Sequence, residues 1–173
     1  MTKTVFITVG TTDFDSLIKA IDNVFFLECL QKHGFSNVQI QIGRGKYEPQ
    51  YLKEGTGISC NMKISWFRFK ANLNEDMSSA DLIISHCGAG SILEAVTLQK
   101  QLIVVVNTTL QDNHQTELAD ALVDGSYCLS AYPDNIIEIV DKTMFEPING
   151  KLIKCFPINN PNLFSSILES ISS

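Results

Sequence analysis

A chain of 173 residues is long enough for one domain with a full hydrophobic core and too short for two complete nucleotide-binding halves. Hydrophobic residues make up 45% and charged residues 18%, which excludes a disordered chain, and no apolar run reaches the ~18 residues of a membrane span. The net charge of −6 comes with lysines and arginines scattered along the chain, which argues against nucleic acid and a basic membrane-surface patch, so any anion site has to be local.

Residues 1–7 run directly into strand-forming residues and lack the apolar core and cleavage site of a signal peptide, so a cytoplasmic protein is expected. Residues 5–9 form a β-branched and aromatic strand that ends at Gly10-Thr11-Thr12, followed by a helical stretch at about 15–23. A second helix over 25–33 is stopped by Gly34, and an alternating strand over 38–42 ends at Gly43-Arg44-Gly45. A loop with Pro49, Gly55 and Gly57 leads to strand character over 58–69, and Asn72 or Asn74 is placed to cap a short helix to Ala80. The run Asp81-Leu82-Ile83-Ile84 is a buried strand that enters a glycine hinge, and helix periodicity begins at Ser91.

The continuous apolar run over 102–106 suits the centre of a parallel sheet covered on both faces, and Asn107 closes it. A helix over 113–122, a short strand over 127–129 and a helix from an Asp134 cap through Met144 complete the alternation. The pattern predicts a doubly wound, mostly parallel α/β domain of Rossmann-like type over 1–150. Its ligands would sit where the loops carrying Gly10, Gly43, Gly88 and Asn107 converge. Residues 151–173 form a separate C-terminal segment, with strand character over 151–153 and a helix capped by Asn162. Leu163, Phe164, Ile167, Leu168 and Ile171 make one apolar face of that helix, for docking on the chain's own domain or on another protein.

The five cysteines, Cys29, Cys60, Cys87, Cys128 and Cys155, lie far apart, with no C-x-x-C and an odd count, so reduced structural thiols are expected. His33, His86 and His114 form no close ligand pair, and zinc is not expected.

The hinge Ile84-Ser85-His86-Cys87-Gly88-Ala89-Gly90-Ser91-Ile92-Leu93-Glu94 carries the most chemistry. Gly88 and Gly90 allow a tight turn into a helix whose first N–H groups and dipole favour phosphate. Leu93 stands where a dinucleotide fingerprint would have its third glycine, which counts against a nicotinamide dehydrogenase. Glu94, one turn into the helix, is within reach of a ribose above the hinge; the plainer reading is a solvated carboxylate favoured by the dipole. Gln111-Asp112-Asn113-His114-Gln115 opens the helix after the central strand. There Asp112 or Asn113 serves as a cap, and His114 and Gln115 either meet sugar hydroxyls or remain surface polar residues.

The motifs Phe6-Ile7-Thr8-Val9-Gly10-Thr11-Thr12, Gln41-Ile42-Gly43-Arg44-Gly45, the hinge with Glu94, and Asp112-Asn113-His114-Gln115 together span most of the chain. On these the sequence resembles the donor-binding half of the B-type glycosyltransferases. Within it the similarity is to the cytosolic catalytic subunits that build dolichol-linked oligosaccharides, relatives of the bacterial peptidoglycan N-acetylglucosaminyltransferases. The resemblance implies inverting, β1,4 transfer of N-acetylglucosamine from UDP-N-acetylglucosamine to N-acetylglucosaminyl-diphosphodolichol, the second sugar step toward protein N-glycosylation. It implies a heterodimer with a membrane-anchored subunit that carries the acceptor half, and recruitment to the cytosolic face of the endoplasmic reticulum.

By the same resemblance Gly88, Ala89, Gly90 and Ser91 lie against the diphosphate, Glu94 takes ribose hydroxyls, and Asn113, His114 and Gln115 belong to the donor site. Gly10, Thr11 and Thr12 close over the donor. Cys87 stands where many relatives have alanine, which adds thiol sensitivity. No cofactor is expected: fixed N–H dipoles can take up leaving-group charge without a metal. Asp13-Phe14-Asp15 matches a metal-binding D-x-D only superficially, because it lies at a helix start where acids act as caps and dipole partners. For the catalytic base His86 is the nearest candidate, set against a histidine that merely orients the glycine loop. Two other classes compete: a non-catalytic nucleotide-sugar-binding or regulatory module, and a hydrolase using Cys87 or Ser91 beside His86, for which no nucleophile elbow is present.

Overall fold

Apolar runs that alternate with amphipathic stretches fold here as strands flanked by helices on both faces. The computed structural model describes residues 2–52, 62–109, 114–143, 156–157, 160 and 162–171. The described chain runs β1 (Lys3–Thr8), α1 (Asp15–Ile21), α2 (Val24–Lys32), β2 (Phe35–Gln41), β3 (Lys63–Phe67), α3 (Asn74–Ser79) and β4 (Leu82–His86). It continues through α4 (Ala89–Thr97), β5 (Gln101–Val105), α5 (His114–Asp124), β6 (Leu129–Ala131), α6 (Ile136–Thr143) and α7 (Leu163–Ile171). The six strands form one sheet in the order β3-β2-β1-β4-β5-β6, and every pairing is parallel. The expected doubly wound α/β architecture is therefore present, and the order reverses between β1 and β4, where ligands of such sheets bind beyond the carboxyl ends.

Period-two alternation splits the sheet residues between two cores. Val5, Ile7, Leu82, Ile84, Ile103 and Val105 pack on one face with Leu17, Phe26, Leu30, Ile136 and Val140 from α1, α2 and α6. Phe6, Ile83, Leu102 and Val104 pack on the other with Met77, Ile92, Val96, Leu118, Leu122 and Phe164 from α3, α4, α5 and α7. Asn23 caps α2 by accepting from the Phe26 N–H at 3.0 Å, and Gly34 ends that helix at φ +82°.

Several boundaries move. β6 begins at Leu129 rather than 127, because Ser126 sits at φ +62° and Tyr127 still bonds back to the Leu122 carbonyl as the exit of α5. Neither Asn72 nor Asn74 caps α3 with its side chain; Leu73 holds the cap position, while Asn72 accepts from the Asn74 N–H at 2.7 Å. The expected strand over 151–153, Met144, Gly55 and Gly57 lie outside the described residues.

The apolar stripe of α7 packs on its own domain. Phe164 is 4% exposed, and Leu163, Ile167, Leu168 and Ile171 lie against the same core. Phe156 joins Tyr127 and Phe164 in edge-to-face contacts at 4.9 and 6.3 Å.

Candidate donor-binding crevice

Beyond β1, Gly10 adopts φ +61°, which L side chains avoid, and beyond β2 Gly43 does the same at φ +59°. A Cβ on Gly43 would strike the carbonyls of Thr12 and Gly10, and the Arg44 N–H donates to the Thr12 carbonyl at 2.9 Å, so the β1 and β2 turns are in backbone contact. Thr8, fully buried, accepts from the Gly10 N–H at 2.9 Å and donates to Gln41 Oε1 at 2.6 Å, tying the first turn to β2.

Beyond β4 the chain turns at Gly88, the N-cap of α4, at φ −101° and ψ 125°. The N–H groups of Ala89, Gly90 and Ser91 open the helix without intrahelical acceptors, and a Cβ on Gly90 would meet nothing within 4 Å. No acid lies in this first turn, so the dipole faces the crevice uncompensated by the helix itself. Leu93 is exposed and Glu94 half-buried, one turn further along.

His86 stands between the two glycine turns. Cβ atoms on Gly10 and Gly88 would both fall well inside contact distance of its ring, 2.6 Å from Cε1 in the first case. The residue is 8% exposed, and its Nδ1 has no hydrogen-bond partner among the described residues. Burial holds its pKa below the ordinary 6.5, opposed by the Thr8 carbonyl. A neutral ring wedged at the base of the crevice is suited to spacing the two turns.

The β5 side closes through Gln115. Its Oε1 accepts from the Asn107 N–H at 3.2 Å, and its carbonyl accepts from the Cys87 thiol at 3.0 Å. The loops carrying Gly10, Gly43, Gly88 and Asn107 thus converge as the strand order requires. Gln115 is braced into the fold rather than projecting whole toward a ligand. His114 is the exposed first residue of α5 and lies 3.6 Å from Glu117 on its own helix, while Asn113 is outside the described residues. Thr11 and Thr12 lie exposed at the rim, and Thr12 Oγ1 donates to the Val9 carbonyl at 2.8 Å. Burial pushes the Cys87 thiol up to about 12, which removes the thiolate that the hydrolase reading needs.

Two carboxylates hold the β2 side, one at the expected helix start and one that no sequence motif marks. Asp15 opens α1, but its oxygens accept from the Lys46 and Tyr47 N–H groups at 3.2 and 3.1 Å, so it caps the neighbouring loop rather than its own helix. Asp22, 4% exposed, accepts from Tyr47 Oη and from the N–H groups of Gln50, Tyr51 and Leu52 at 2.5 to 2.9 Å. Arg68, after β3, donates to the Gly43 and Gly45 carbonyls at 3.3 and 2.7 Å and pairs with Glu48. No local motif marks Asp22 or Arg68, because their partners are 20 or more residues away.

Residues 4–151 match the glycosyltransferase family 28 C-terminal domain. The chain is 42% identical over 120 residues to UDP-N-acetylglucosamine transferase subunit ALG13 of Homo sapiens, covering 69% of this chain and 10% of that protein. It is 30% identical over 199 residues to the subunit of the same name from Saccharomyces cerevisiae, covering 99% and 97%. It thus spans about a tenth of the human relative and nearly the whole of the yeast one. The crystal structure of Acinetobacter baumannii MurG superposes with TM-score 0.68 at 20% identity, over 99% of this chain and 50% of that one; the fold is half of a two-part architecture.

Proposed function

Since the chain belongs to the glycosyltransferase family 28 C-terminal domain family, we propose that it is the donor-binding, catalytic subunit of a heteromeric transferase. The complex would move N-acetylglucosamine from UDP-N-acetylglucosamine to N-acetylglucosaminyl-diphosphodolichol with inversion. The observation that carries this reading is the Gly88–Ser91 turn, opening α4 beside the Gly10 turn at the point where the strand order reverses. The diphosphate sits on the N–H groups of Ala89, Gly90 and Ser91, which meet the charge that grows on it as the glycosidic bond breaks. Glu94 accepts from the ribose hydroxyls, Gln115 with Asn113 and His114 lines the sugar side, and Gly10, Thr11 and Thr12 cover the donor. Binding needs no divalent metal, because helix dipole and amides supply the counter-charge.

The acceptor hydroxyl must still lose a proton. His86, buried between two glycine turns, is a positioning residue in this scheme, and the base comes from the membrane-anchored partner. No helix of the described residues is long and apolar enough to cross a membrane, so the partner also brings the chain to the cytosolic face of the endoplasmic reticulum. Two measurements test the scheme. Titration with UDP-N-acetylglucosamine in chelator should perturb amide signals at Gly88 to Ser91, and shifts confined elsewhere would remove the site. Reconstitution with the membrane partner should then give transfer to a diphosphate-lipid acceptor; donor binding without transfer would leave a non-catalytic binding module.

A further inference from the structure

The sequence separates its histidines too widely for a metal site, but the fold brings one of them to two other ligand types. Cys29 and His33 lie four residues apart at the end of α2 and so share a helix face. Asp141 on α6 approaches them: His33 Nε2 is 2.7 Å from Asp141 Oδ1, and one donor atom from each of the three residues lies within 4.8 Å of the others. The cluster is at the amino end of the sheet, where the His33 carbonyl accepts from Lys3 at the start of β1. That is the end opposite the glycine turns.

We propose that Cys29, His33 and Asp141 form a site for a divalent metal of the zinc class, which staples α2 to α6. Thiolate, imidazole and carboxylate on one tetrahedral ion are the donor set zinc favours, with solvent in the fourth position. Nitrogen and oxygen ligands ~2.0 Å from a tetrahedral ion are about 3.3 Å apart, and a sulfur at ~2.3 Å lies about 3.5 Å from them, so the His33–Asp141 contact opens slightly while the Cys29 sulfur, now within 4.8 Å of both, closes onto the ion. Asp141 can move, since its side chain is 43% exposed, whereas the His33 side chain is 4% exposed and fixed. Lys32, which pairs with Asp141 at 2.9 Å, is 55% exposed and can turn to water as the metal takes its place. On binding, the Cys29 S–H bond breaks, sulfur keeps the electron pair as a metal ligand, and the proton passes to buffer.

Cys87 and Cys128, also buried, belong to no such three-residue ligand group among the described residues. A nucleophilic triad is the other use of cysteine, histidine and aspartate. Here burial and the neighbouring Asp141 push the Cys29 thiol up to about 11, away from the reactive thiolate. A bound cation reverses that effect, because a coordinating thiol is deprotonated outright.

The test uses the full chain with cobalt(II) and zinc(II) as probes. One equivalent of cobalt should give a sulfur-to-metal charge-transfer band that zinc displaces. Zinc at 100-fold over its Kd should raise Tm by roughly 5–10 °C. Cys29→Ser should abolish the band, and Asp141→Asn should weaken binding at least tenfold; His33→Asn serves as a second ligand variant should either fail to fold. UDP-N-acetylglucosamine affinity should be the same with zinc or chelator, since the site is remote from the crevice. Absence of the band, or a band unchanged in Cys29→Ser and His33→Asn, overturns the proposal.

Discussion

Replacing Gly88 with alanine separates backbone freedom from packing, because the backbone there (φ −101°, ψ 125°) is open to any residue. The loss of unfolded-state entropy would by itself stabilise the variant by about 0.4–1 kcal/mol. Against this, the new Cβ lands on the His86 ring, with Cδ2 and Cε1 both at 2.9 Å and Nε2 closer still. The ring cannot retreat, since the Gly10 turn closes its other side. Overpacking of this kind costs about 1–3 kcal/mol and outweighs the entropic gain. The net loss corresponds to a Tm lower by roughly 2–8 °C for a domain of this size. Removing the ring in Gly88→Ala/His86→Ala should recover most of the difference, giving a favourable coupling in a double-mutant cycle followed by urea denaturation. Gly90→Ala is the counterpart: its Cβ meets no atom within 4 Å and the position is helical, so stability should rise by about 0.5–1 kcal/mol. The same methyl occupies the space assigned to the diphosphate, so calorimetry should show weaker donor binding in a more stable protein. A Gly88→Ala variant as stable as the parent, or one whose loss persists undiminished without the His86 ring, would refute the wedge.

Glu94→Ala should weaken donor binding by about 1.5–3 kcal/mol with the fold intact, whereas Gln115→Ala should lower both donor affinity and Tm, because it also orphans the Asn107 N–H; calorimetry and thermal melts on the same samples check both. Asp22→Asn replaces an acceptor of three backbone N–H groups and one phenol with a half-donor, and should cost about 2–4 kcal/mol by urea denaturation. Burial places the His86 pKa below 6.5, so the unfolded chain takes up its proton first as pH falls. The stability from the neutral ring is complete above about pH 6.5 and is lost as pH drops toward the folded pKa, and His86→Gln should flatten that part of the urea-midpoint profile. Deleting residues 162–173 uncovers Phe164 and its neighbours and should cost about 3–6 kcal/mol; unchanged Tm with lost co-purification of the membrane partner would instead make α7 a docking element.

What was legible in the sequence is what depends on neighbours in the chain. The period-two and period-3.6 patterns marked the strands and helices, and the Gly88-Ala89-Gly90-Ser91 hinge was visible because turn, N-cap and helix start are consecutive. What the sequence does not show are the contacts of side chains whose partners come from elsewhere in the chain. Asp15 stands in the first turn of α1, where a dipole partner is expected, but not as its cap: the loop after β2 supplies the N–H donors it binds. The sequence shows no second histidine near His33, and spacing alone does not reveal that Asp141, 108 residues away, meets it at 2.7 Å. The stripe on α7 was read correctly as apolar, yet periodicity carries no information about which surface covers it. Gln115 was expected to face a sugar; its amide oxygen is used by Asn107, and only the nitrogen side of that amide is left for a ligand.

The way His86 is held bears on how a chain with the proposed donor site could serve a transferase without supplying the base itself. A protonated imidazole at the foot of the crevice would attract a diphosphate, but its charge would vary with pH and would have to be desolvated between two close-packed turns. Burial keeps the ring neutral instead, and the positive potential is left to the N–H groups of Ala89, Gly90 and Ser91, which do not titrate. Their orientation is set before any ligand arrives, because the turn that carries them is spaced by the ring from a β1 turn braced through Thr8, Gln41 and Arg44 to β2. Preorganised dipoles stabilise developing charge without reorganising as a bond breaks, so a donor site of the proposed kind can be completed at one sheet edge. Deprotonation of the acceptor has the opposite requirement, a titratable group near the acceptor hydroxyl rather than near the phosphates. On the proposed scheme, placing that group on a separate membrane-bound chain would keep it away from a buried crevice that would shift its pKa.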